Sequence, residues 1–424
     1  MPKKIKATEV PGLLHPGMTV YVQGGANEPT EIMEVVKAQP DASDAVRYIQ
    51  MFIPGVNNGD YSSFHPNAKA TTFFVTAPMR ESWKAGKVDF YPFHLHADYR
   101  FLCAMDPVDL LVLQLSPPDK HGNCSLGPTT DYVPAVLGKA KAILAEINPN
   151  VPYTYGGPRV PYERLDYVVE TAHELVLTPD NPLNDDTKRI GKLVAELIED
   201  GDTIQIGIGN VPNAILAELH GKRDLGFHSG LMTDACVDLI EGGAMNGARK
   251  RIDNGVHVTG IAVGTRKVFD FINNNATIHF REVGYTHEQE TLRHLDCFIS
   301  LNSVLEMDLL AQGNAEWIGT EQHGGIGGQG DFVRGARNSR GGKSVLAFLS
   351  TGRRGTISRI IPRLPHGAVV TTPRSDVDYV VTENGVAHVR DMTVDQRAEA
   401  LIGLAAEQFR AELAQEWEKM RAAM

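Results

Sequence analysis

The tripeptide His228-Ser229-Gly230 lies where a polar turn passes into an apolar, helix-like run, in the stretch DLGFHSGLMTDACVDLIEGG. Tips of this kind often carry a reactive side chain, because loops held on a rigid scaffold are where chemistry is placed. A histidine beside a serine suggests an activated hydroxyl, but adjacent residues rarely orient a base onto the neighbouring hydroxyl, and no orienting acid is evident. Gly230 is therefore either an ordinary turn glycine or the place of a missing reactive side chain.

A second candidate is the glycine turn in QIGIGNVPNA, which contains Gly207, Ile208, Gly209, Asn210 and Val211. The turn follows a strand pattern and opens a helix pattern, and backbone amides at such a helix start bind phosphate or carboxylate. No GK[ST] follows and the spacing is not GxGxxG, so the turn is neither a P-loop nor a dinucleotide fingerprint. A tight strand-to-helix turn without a ligand explains the pattern equally well.

A third candidate is the glycine-rich stretch IGTEQHGGIGGQGDFVRGARNSRGGKS, residues 318–344. Dense glycines let backbone amides approach a ligand closely. The basic residues that follow, Arg334, Arg337 and Lys343, suit phosphates. A flexible surface loop is the alternative, but the stretch lies between the apolar strand patterns CFISLNSVLEMDL and SVLAFLS. That position favours a binding loop.

A fourth pattern, FHLHADYR, contains His94, His96 and Asp98. Histidines two apart on one face of a strand can bind a metal ion. No partner set of histidine and carboxylate stands out elsewhere, so we expect pocket-lining or hydrogen-bonded histidines and no metal.

The elements that must position these residues are short strands alternating with amphipathic helices. MTVYVQGGANEPTEIMEVV and DTIQIGIGNVPNAILAEL both give a strand, a glycine turn, a proline and a helix, which indicates an internal duplication. A Pro- and Asn-rich segment, residues 148–186, predicts a linker with one short strand. We therefore predict two α/β domains with largely parallel sheets, residues 1–186 with the linker and residues 187–424.

Composition and charge argue against several classes of protein, including nucleic-acid-binding and membrane-spanning proteins. The chain has 424 residues and a formal charge of -11, which argues against a nucleic-acid footprint. No long apolar run predicts a membrane span. The first residues lack the apolar core of a secretory signal, and the four cysteines form no CxxC pair. We expect reduced thiols and a cytoplasmic location.

Taken together and in order, these stretches resemble the acetyl-CoA hydrolase/transferase family, whose members include 4-hydroxybutyrate CoA-transferase and related class I CoA-transferases. The resemblance covers nearly the whole chain, and the ordered set of motifs is highly specific. The matching motifs are GANEP at 25–29, SPPDKHGNCSLG at 116–127, GIGNVPNAIL at 207–216, DACVDLIEGG at 234–243, GGIGGQGDFVRGA at 324–336, GGKS at 341–344 and YVVTENGVAHVRD at 379–391.

The resemblance implies two α/β domains of the CoA-transferase type with an active site between them. It implies an acyl-CoA and a small carboxylic acid as substrates, coenzyme A as a substrate moiety with no permanently bound cofactor, and a homo-oligomer. Residues 207–211 would form the substrate loop and an oxyanion hole. Gly324 and Gly328 would line the pantetheine path, Gln329 joins the CoA-binding residues, and Lys343 would meet a CoA phosphate.

The resemblance also marks a departure. Members of the family carry His-Ser/Thr-Glu before DLIE, and that glutamate attacks the thioester and then holds CoA; here His228 and Ser229 match, but Gly230 takes the place of the glutamate. Another carboxylate could substitute, giving a CoA-transferase for short-chain acyl groups. Activated water could attack, giving an acyl-CoA hydrolase. The chain could also bind CoA esters without catalysis. Candidate carboxylates are Glu28, Asp60, Asp98, Glu282, Glu306, Glu321 and Asp331.

Overall fold

The computed structural model describes residues 1–179, 182–319 and 321–424. Asp180 and Asn181 of the expected linker, and Thr320 of the glycine-rich stretch, lie outside the described residues. The chain forms two compact units. Unit 1 comprises Met1–Pro179, Gly230–Asp234 and Val258–Thr286, and unit 2 comprises Asp180–Ser229, Ala235–His257 and His287–Met424. The sequence-based division placed residues 230–234 and 258–286 in the second domain, whereas their contacts group them with unit 1.

Unit 1 is built on a parallel sheet whose strands, within the described residues, number eight and are ordered β1-β8-β7-β6-β2-β3-β4-β5. In chain order the strands β1 to β8 are Lys3–Lys4, Thr19–Val22, Arg47–Gln50, Lys69–Thr72, Val88–Phe90, Leu110–Leu115, Ala142–Ile147 and Tyr167–Glu170. The stretch 142–147 is a strand in the middle of this sheet, and its side chains are buried on both faces.

Alternate side chains of the central strands enter two different apolar cores. Along β6, Leu110 and Val112 pack on one face, whereas Leu111 and Leu113 pack on the other. Helix α1, Thr30–Lys37, covers the first face, and helix α2, Leu95–Ala104, covers the second. A parallel sheet must be covered on both faces in this way.

Shorter elements complete unit 1. Two residues from each inserted segment, Leu231–Met232 and Ile261–Ala262, pair in parallel. A second two-stranded pairing joins Asn123–Cys124 to Val160–Pro161. The short helices are Arg80–Lys84, Val133–Leu137, Arg266–Ile272 and Val283–Thr286.

Unit 2 has a smaller sheet, in which the described part of the chain forms six strands ordered β10-β9-β11-β12-β13-β14. The strands β9 to β14 are Thr203–Ile206, Gly226–Phe227, Phe298–Asn302, Lys343–Ala347, Tyr379–Thr382 and Gly385–His388. The pairings are parallel except for the edge pair β13–β14.

In the described part of the chain, six helices of eight or more residues belong wholly or mainly to unit 2, and the four-residue helix Gln289–Leu292 is a seventh. Helices α3 to α8 are Asp185–Leu197, Asn210–Ala217, Asp234–Glu241, Gln329–Asn338, Val394–Leu404 and Glu407–Ala422. Residues Leu401, Leu413 and Trp417 of the last two helices pack against Leu346 and Val380 of the sheet. The prediction of two α/β domains with largely parallel sheets is confirmed. In the residues that the structure describes, no helix combines the length and apolarity needed to cross a membrane.

Candidate functional site

The carboxyl edge of the unit 1 sheet carries a buried polar cluster between β2 and β6. The chain proceeds from β2 toward β3 on one side and from β6 toward β7 on the other, and ligands of parallel sheets bind at such switch points. Gln23 directly follows β2, and its Nε2 donates to the Thr129 carbonyl at 2.8 Å. Its Oε1 accepts from the backbone amide of Gln114 at 2.9 Å. These bonds tie the loop around residue 129 to the ends of both strands.

Glu28 lies in the loop that leads from β2 to α1. Its carboxylate accepts hydrogen bonds from the Tyr61 hydroxyl at 2.6 Å and from Asn57 Nδ2 at 2.8 Å. Burial raises the pKa of Glu28, and the two hydrogen bonds partly offset that rise. Glu28 and Tyr61 line a cavity of about 470 Å³ in unit 1. Since both carboxylate oxygens are held by neighbouring donors, Glu28 is positioned by this cluster.

Gly230 lies beside Gly260 in unit 1. The carbonyl of Gly230 accepts from the amides of Gly260 at 3.2 Å and Ile261 at 3.1 Å. The carbonyl of Gly260 in turn accepts from the amide of Asp131 at 3.3 Å. Three separate stretches of chain therefore meet at Gly260, and one of them brings an acidic side chain toward Gly230.

That acidic residue, Asp131, was missed by the sequence analysis. The matching motif ends at Gly127, four residues earlier, and nothing in the local pattern GPTTDYV marks the aspartate. Although Asp131 keeps some exposure to solvent, protein atoms surround its carboxyl, and the lost hydration raises its pKa to about 8. Only the fold, which joins residues 131, 230 and 260, makes the aspartate a candidate.

In unit 2, the glycine turn 207–211 also lies at a switch point, between β9 and β11. Gly209 has φ +117°, a conformation that L-residues other than glycine rarely adopt, and it forms the N-cap of α4. The first amides of a helix have no partner within it, and Pro212 has no N–H, so the amides of Asn210 and Val211 are the available donors. Ile208 is exposed at the tip. The turn has the geometry of an anion-binding helix start.

His228 and Ser229 follow β10 in unit 2 and are fully buried. The backbone amide of His228 donates to the Ile204 carbonyl at 3.1 Å, and Ser229 Oγ donates to the Ile206 carbonyl at 2.9 Å. The serine hydroxyl thus fastens the tip to the end of β9. This contact accounts for Ser229 without a nucleophilic role.

The glycine-rich stretch leads into α6, whose N-terminus lies at the same edge of the unit 2 sheet because α6 precedes the parallel strand β12. A Cβ at Gly328 would lie 2.5 Å from His287 Nε2, so the close approach of that ring requires a glycine. Gln329 Nε2 donates to Thr372 Oγ1 at 2.7 Å. Gly324 has φ +90°. The two glycine loops of unit 2 are therefore gathered at one edge of its sheet.

Lys343 lies elsewhere in unit 2. It begins β12 and so lies at the amino edge of the parallel sheet, where Nζ contacts Glu199 Oε1 at 3.1 Å and the Leu197 carbonyl at 2.8 Å. The structure does not bring it together with the loop at 207–211.

The remaining expected carboxylates are dispersed. Asp98 is fully buried within α2. Glu306 Oε1 accepts from Asn314 Nδ2 at 2.9 Å, and Glu321 is half-buried in a short strand of unit 2. The strand face that a His94–His96 metal pair would need is not formed, since His96 lies in α2 and His94 is its N-cap. Among the described residues no cluster of three metal-binding side chains is found.

Comparison with known proteins is consistent with this architecture. Residues 1–178 match the acetyl-CoA hydrolase/transferase N-terminal domain, and residues 264–417 match the C-terminal domain. The chain is 37% identical to 4-hydroxybutyrate coenzyme A transferase of Clostridium kluyveri over 92% of each chain. It is 38% identical to succinyl-CoA:cyclohexane-1-carboxylate CoA transferase of Geobacter metallireducens, over 84% of this chain and 81% of that one.

Solved structures agree with the sequence matches. RipA from Yersinia pestis superimposes with a TM-score of 0.92 at 29% identity, over 99% of this chain and 98% of that chain. The 4-hydroxybutyrate CoA-transferase from Porphyromonas gingivalis gives a TM-score of 0.83 at 33% identity, again over 99% and 98%. Given these matches along both units, the chain belongs to the acetyl-CoA hydrolase/transferase family and is an enzyme of the CoA-transferase and acyl-CoA hydrolase type.

Proposed function

We propose that this protein is a CoA-transferase that moves CoA from a short-chain acyl-CoA to a small carboxylic acid. The observation that carries the proposal is the 37% identity to a 4-hydroxybutyrate CoA-transferase along 92% of both chains. Relatives named acetyl-CoA hydrolase are only 24% and 25% identical, over 79% and 70% of this chain. The acyl group and the acceptor acid are inferred from the names of the relatives.

The chemistry of transfer needs a carboxylate. A carboxylate that attacks a thioester forms an anhydride, and thiolate attack on the enzyme side of that anhydride leaves CoA on the enzyme as a thioester. Exchange among carboxylic acids in this way has little net cost, and two easy steps replace a hard one. We infer from the motif resemblance that Gly230 stands where other members carry that carboxylate, so the proposal requires a carboxylate from another position.

The glycine turn of unit 2 supports acyl chemistry. The amides of Asn210 and Val211 begin α4 and are donors of the kind that stabilises an oxyanion. Loss of one such donor commonly lowers the rate about 10²- to 10³-fold. The proposal assigns Gly207, Ile208 and Gly209 to the same substrate loop.

Hydrolysis is the second candidate. Relatives named acetyl-CoA hydrolase belong to the same family, and a glycine at 230 offers no covalent nucleophile at that position. Water held near the empty position would then attack the thioester, with a carboxylate or histidine as general base. A CoA-ester-binding protein without catalysis is the third alternative.

Chromatography of the CoA esters separates these alternatives. The purified protein is incubated with acetyl-, butyryl-, 4-hydroxybutyryl- or succinyl-CoA, with and without a second carboxylic acid, while free thiol is measured in parallel. We expect a new acyl-CoA that forms only when the acceptor acid is present, with little thiol release. Thiol release that is independent of the acceptor would establish the hydrolase instead. If neither a new acyl-CoA nor free thiol forms, the protein binds CoA esters without catalysis.

Gly230→Glu adds a direct test of the family position. The variant should create or increase ping-pong transfer, because it restores a carboxylate where the family carries one. Gly221→Glu is the matched control, since Gly221 is exposed in unit 2 and a Cβ there meets no atom within 4 Å. Unchanged kinetics in a folded Gly230→Glu protein would contradict the inference that Gly230 stands at the position of the family's glutamate. The cytoplasmic location and the homo-oligomer stay predictions.

A further inference from the structure

A carboxylate lies next to Gly230 within unit 1. A Cβ built on Gly260 would be 3.2 Å from Asp131 Oδ1 and 3.1 Å from the Gly230 carbonyl oxygen. Both distances start from the same Cβ position, so the separation between Asp131 Oδ1 and the Gly230 carbonyl oxygen cannot exceed their sum. The Asp131 side chain therefore occupies the immediate surroundings of the residue that replaces the family's glutamate.

The backbone at Asp131 is held in an uncommon conformation. Its φ is +34°, in the left-handed region that non-glycine residues enter at a cost. The amides of Thr130 and Asp131 both donate to the Gly260 carbonyl, at 3.1 and 3.3 Å, and the Asp131 carbonyl accepts from Val283 at 3.0 Å. Strained residues that neighbouring segments over-determine cluster at active sites. The fold therefore fixes the direction of this aspartate from two sides.

The Asp131 carboxylate has no compensating partner. Within the described residues it forms neither an ion pair nor a side-chain hydrogen bond, unlike Glu28. On β2, burial raises the pKa of Tyr21 well above its usual value, and the negative charge of Asp131 adds to that effect. Glu282 pairs with Asp131 through a backbone bridge, and its carboxylate lies 3.8 Å from Arg281 Nε. Asp131 is partly exposed as a residue, and its carboxylate is engaged in no structural bond with the described residues, so it is available for chemistry.

We propose that Asp131 is the nucleophilic carboxylate of this enzyme, which receives the acyl group and then CoA in place of the glutamate that Gly230 replaces. The proposal rests on the transferase function proposed above. It goes beyond the family resemblance, because it assigns the covalent step to a different element, the loop after Gly127, instead of the tip at 228–230.

The step balances without any further reactant. The ionised Asp131 oxygen attacks the thioester carbonyl carbon, the C–S bond breaks, and CoA leaves as a thiolate. The thiolate attacks the aspartyl carbonyl of the resulting anhydride, releasing the donor's carboxylate and leaving an aspartyl-CoA thioester. The acceptor carboxylate attacks this thioester, and the same two events run in reverse order. Asp131 ends as a carboxylate and no net proton is taken up.

Trapping in the full-length wild-type protein is the primary test. Borohydride added after an acyl-CoA reduces an aspartyl-CoA thioester to the alcohol, so mass spectrometry of a digest should find homoserine at position 131. Because only the ionised carboxylate attacks, kcat/KM should rise with pH toward about 8, the pKa to which the lost hydration raises Asp131.

Variants complete the test. Asp131→Asn should lower kcat at least about 10³-fold and abolish the label. Asp131→Glu, which keeps a carboxylate, should retain measurable transfer. Asp109→Asn is the control, because Asp109 precedes β6 at the amino edge of the same sheet and contacts Lys141 there, 2.7 Å away.

The outcomes separate the two proposals. Transfer by the wild type, with a label at position 131 that Asp131→Asn abolishes, supports the assignment. Transfer with the label on another peptide, or full transfer by Asp131→Asn, overturns the role of Asp131 and leaves the transferase function standing. Absence of transfer by the wild-type protein overturns both.

Discussion

Replacing Asp131 by asparagine should change how the stability of the protein depends on pH. The unfolded chain releases the aspartyl proton near pH 3.8, whereas the folded protein holds it to about pH 8. A carboxyl with a raised pKa stabilises the fold at low pH, and this contribution is lost as the pH rises from the unfolded value to the folded one. Asparagine has nearly the same shape and no proton to lose. The variant should therefore gain stability over wild type as the pH increases.

The size of the effect follows from the same two values. Between the unfolded pKa and the folded pKa, each unit of pH increase lowers the free energy of unfolding of the wild-type protein by up to about 1.4 kcal/mol relative to a variant whose side chain does not titrate. From about pH 5.5 to about pH 7.5 the upper limit is therefore roughly 2.7 kcal/mol. Local relaxation and water near this partly exposed residue lower this limit, so we expect the stability difference to change by about 2 kcal/mol.

Urea unfolding at several pH values measures the difference, with hydrogen exchange of amides in β2 and β6 reporting unit 1 alone. The separate probe is needed because the two units need not unfold together. Asp109→Asn is the matched control. Lys141 and the Thr19 amide lower the pKa of Asp109, so its contribution to stability is lost only as the pH falls below the unfolded value toward the lower folded one. Its stability difference should stay level in this pH range. A level difference for Asp131→Asn would show that the carboxyl is already ionised in the folded protein and would refute the reasoning.

Three further perturbations test other parts of the site. Gly209→Ala should lower kcat/KM well below that of Gly207→Ala, because a Cβ meets no atom within 4 Å at either position but only Gly209 has a positive φ; steady-state kinetics on both proteins checks this, and equal losses would contradict it. Tyr61→Phe removes one donor from the half-buried Glu28 carboxylate and should destabilise unit 1 by about 1–3 kcal/mol in urea unfolding; unchanged stability would show that the bond contributes nothing. Ser229→Ala should cost about 1 kcal/mol of stability and at most about tenfold in kcat, whereas a 10³-fold loss of kcat would indicate a nucleophilic serine.

Much of the scaffold could be predicted from local pattern. The strand at Thr19–Val22 and the strand at Thr203–Ile206 are each followed by a glycine turn and a helix, and both fall at the switch points of their sheets. Apolar runs such as Leu110–Leu115 identify strands that are buried on both faces. These features depend on residues close together in the chain, and for that reason periodicity and turn chemistry reveal them.

The site is less predictable because it depends on distant contacts. Asp131 becomes a candidate only when residues 230 and 260 meet it, about a hundred positions later in the chain. Lys343 belongs to a basic run after glycines, but its position at the start of β12 places it at the amino edge of the sheet. Side-chain spacing also misleads when the wrong secondary structure is assumed. His94 and His96 would share one face of a strand, but His96 lies in a helix and His94 is its N-cap.

The interrupted path of the chain through unit 1 has a consequence for biosynthesis. A ribosome completes residues 1–179 well before it makes 230–234 and 258–286, and Gly260 from the last of these segments supplies the carbonyl that holds Asp131. The loop that carries Asp131 therefore cannot reach its final hydrogen bonding until about two thirds of the polypeptide has been made. Expressing residues 1–179 as an excised fragment should give a sheet that lacks this loop's support, whereas a longer fragment ending after residue 286 would contain every segment of the unit.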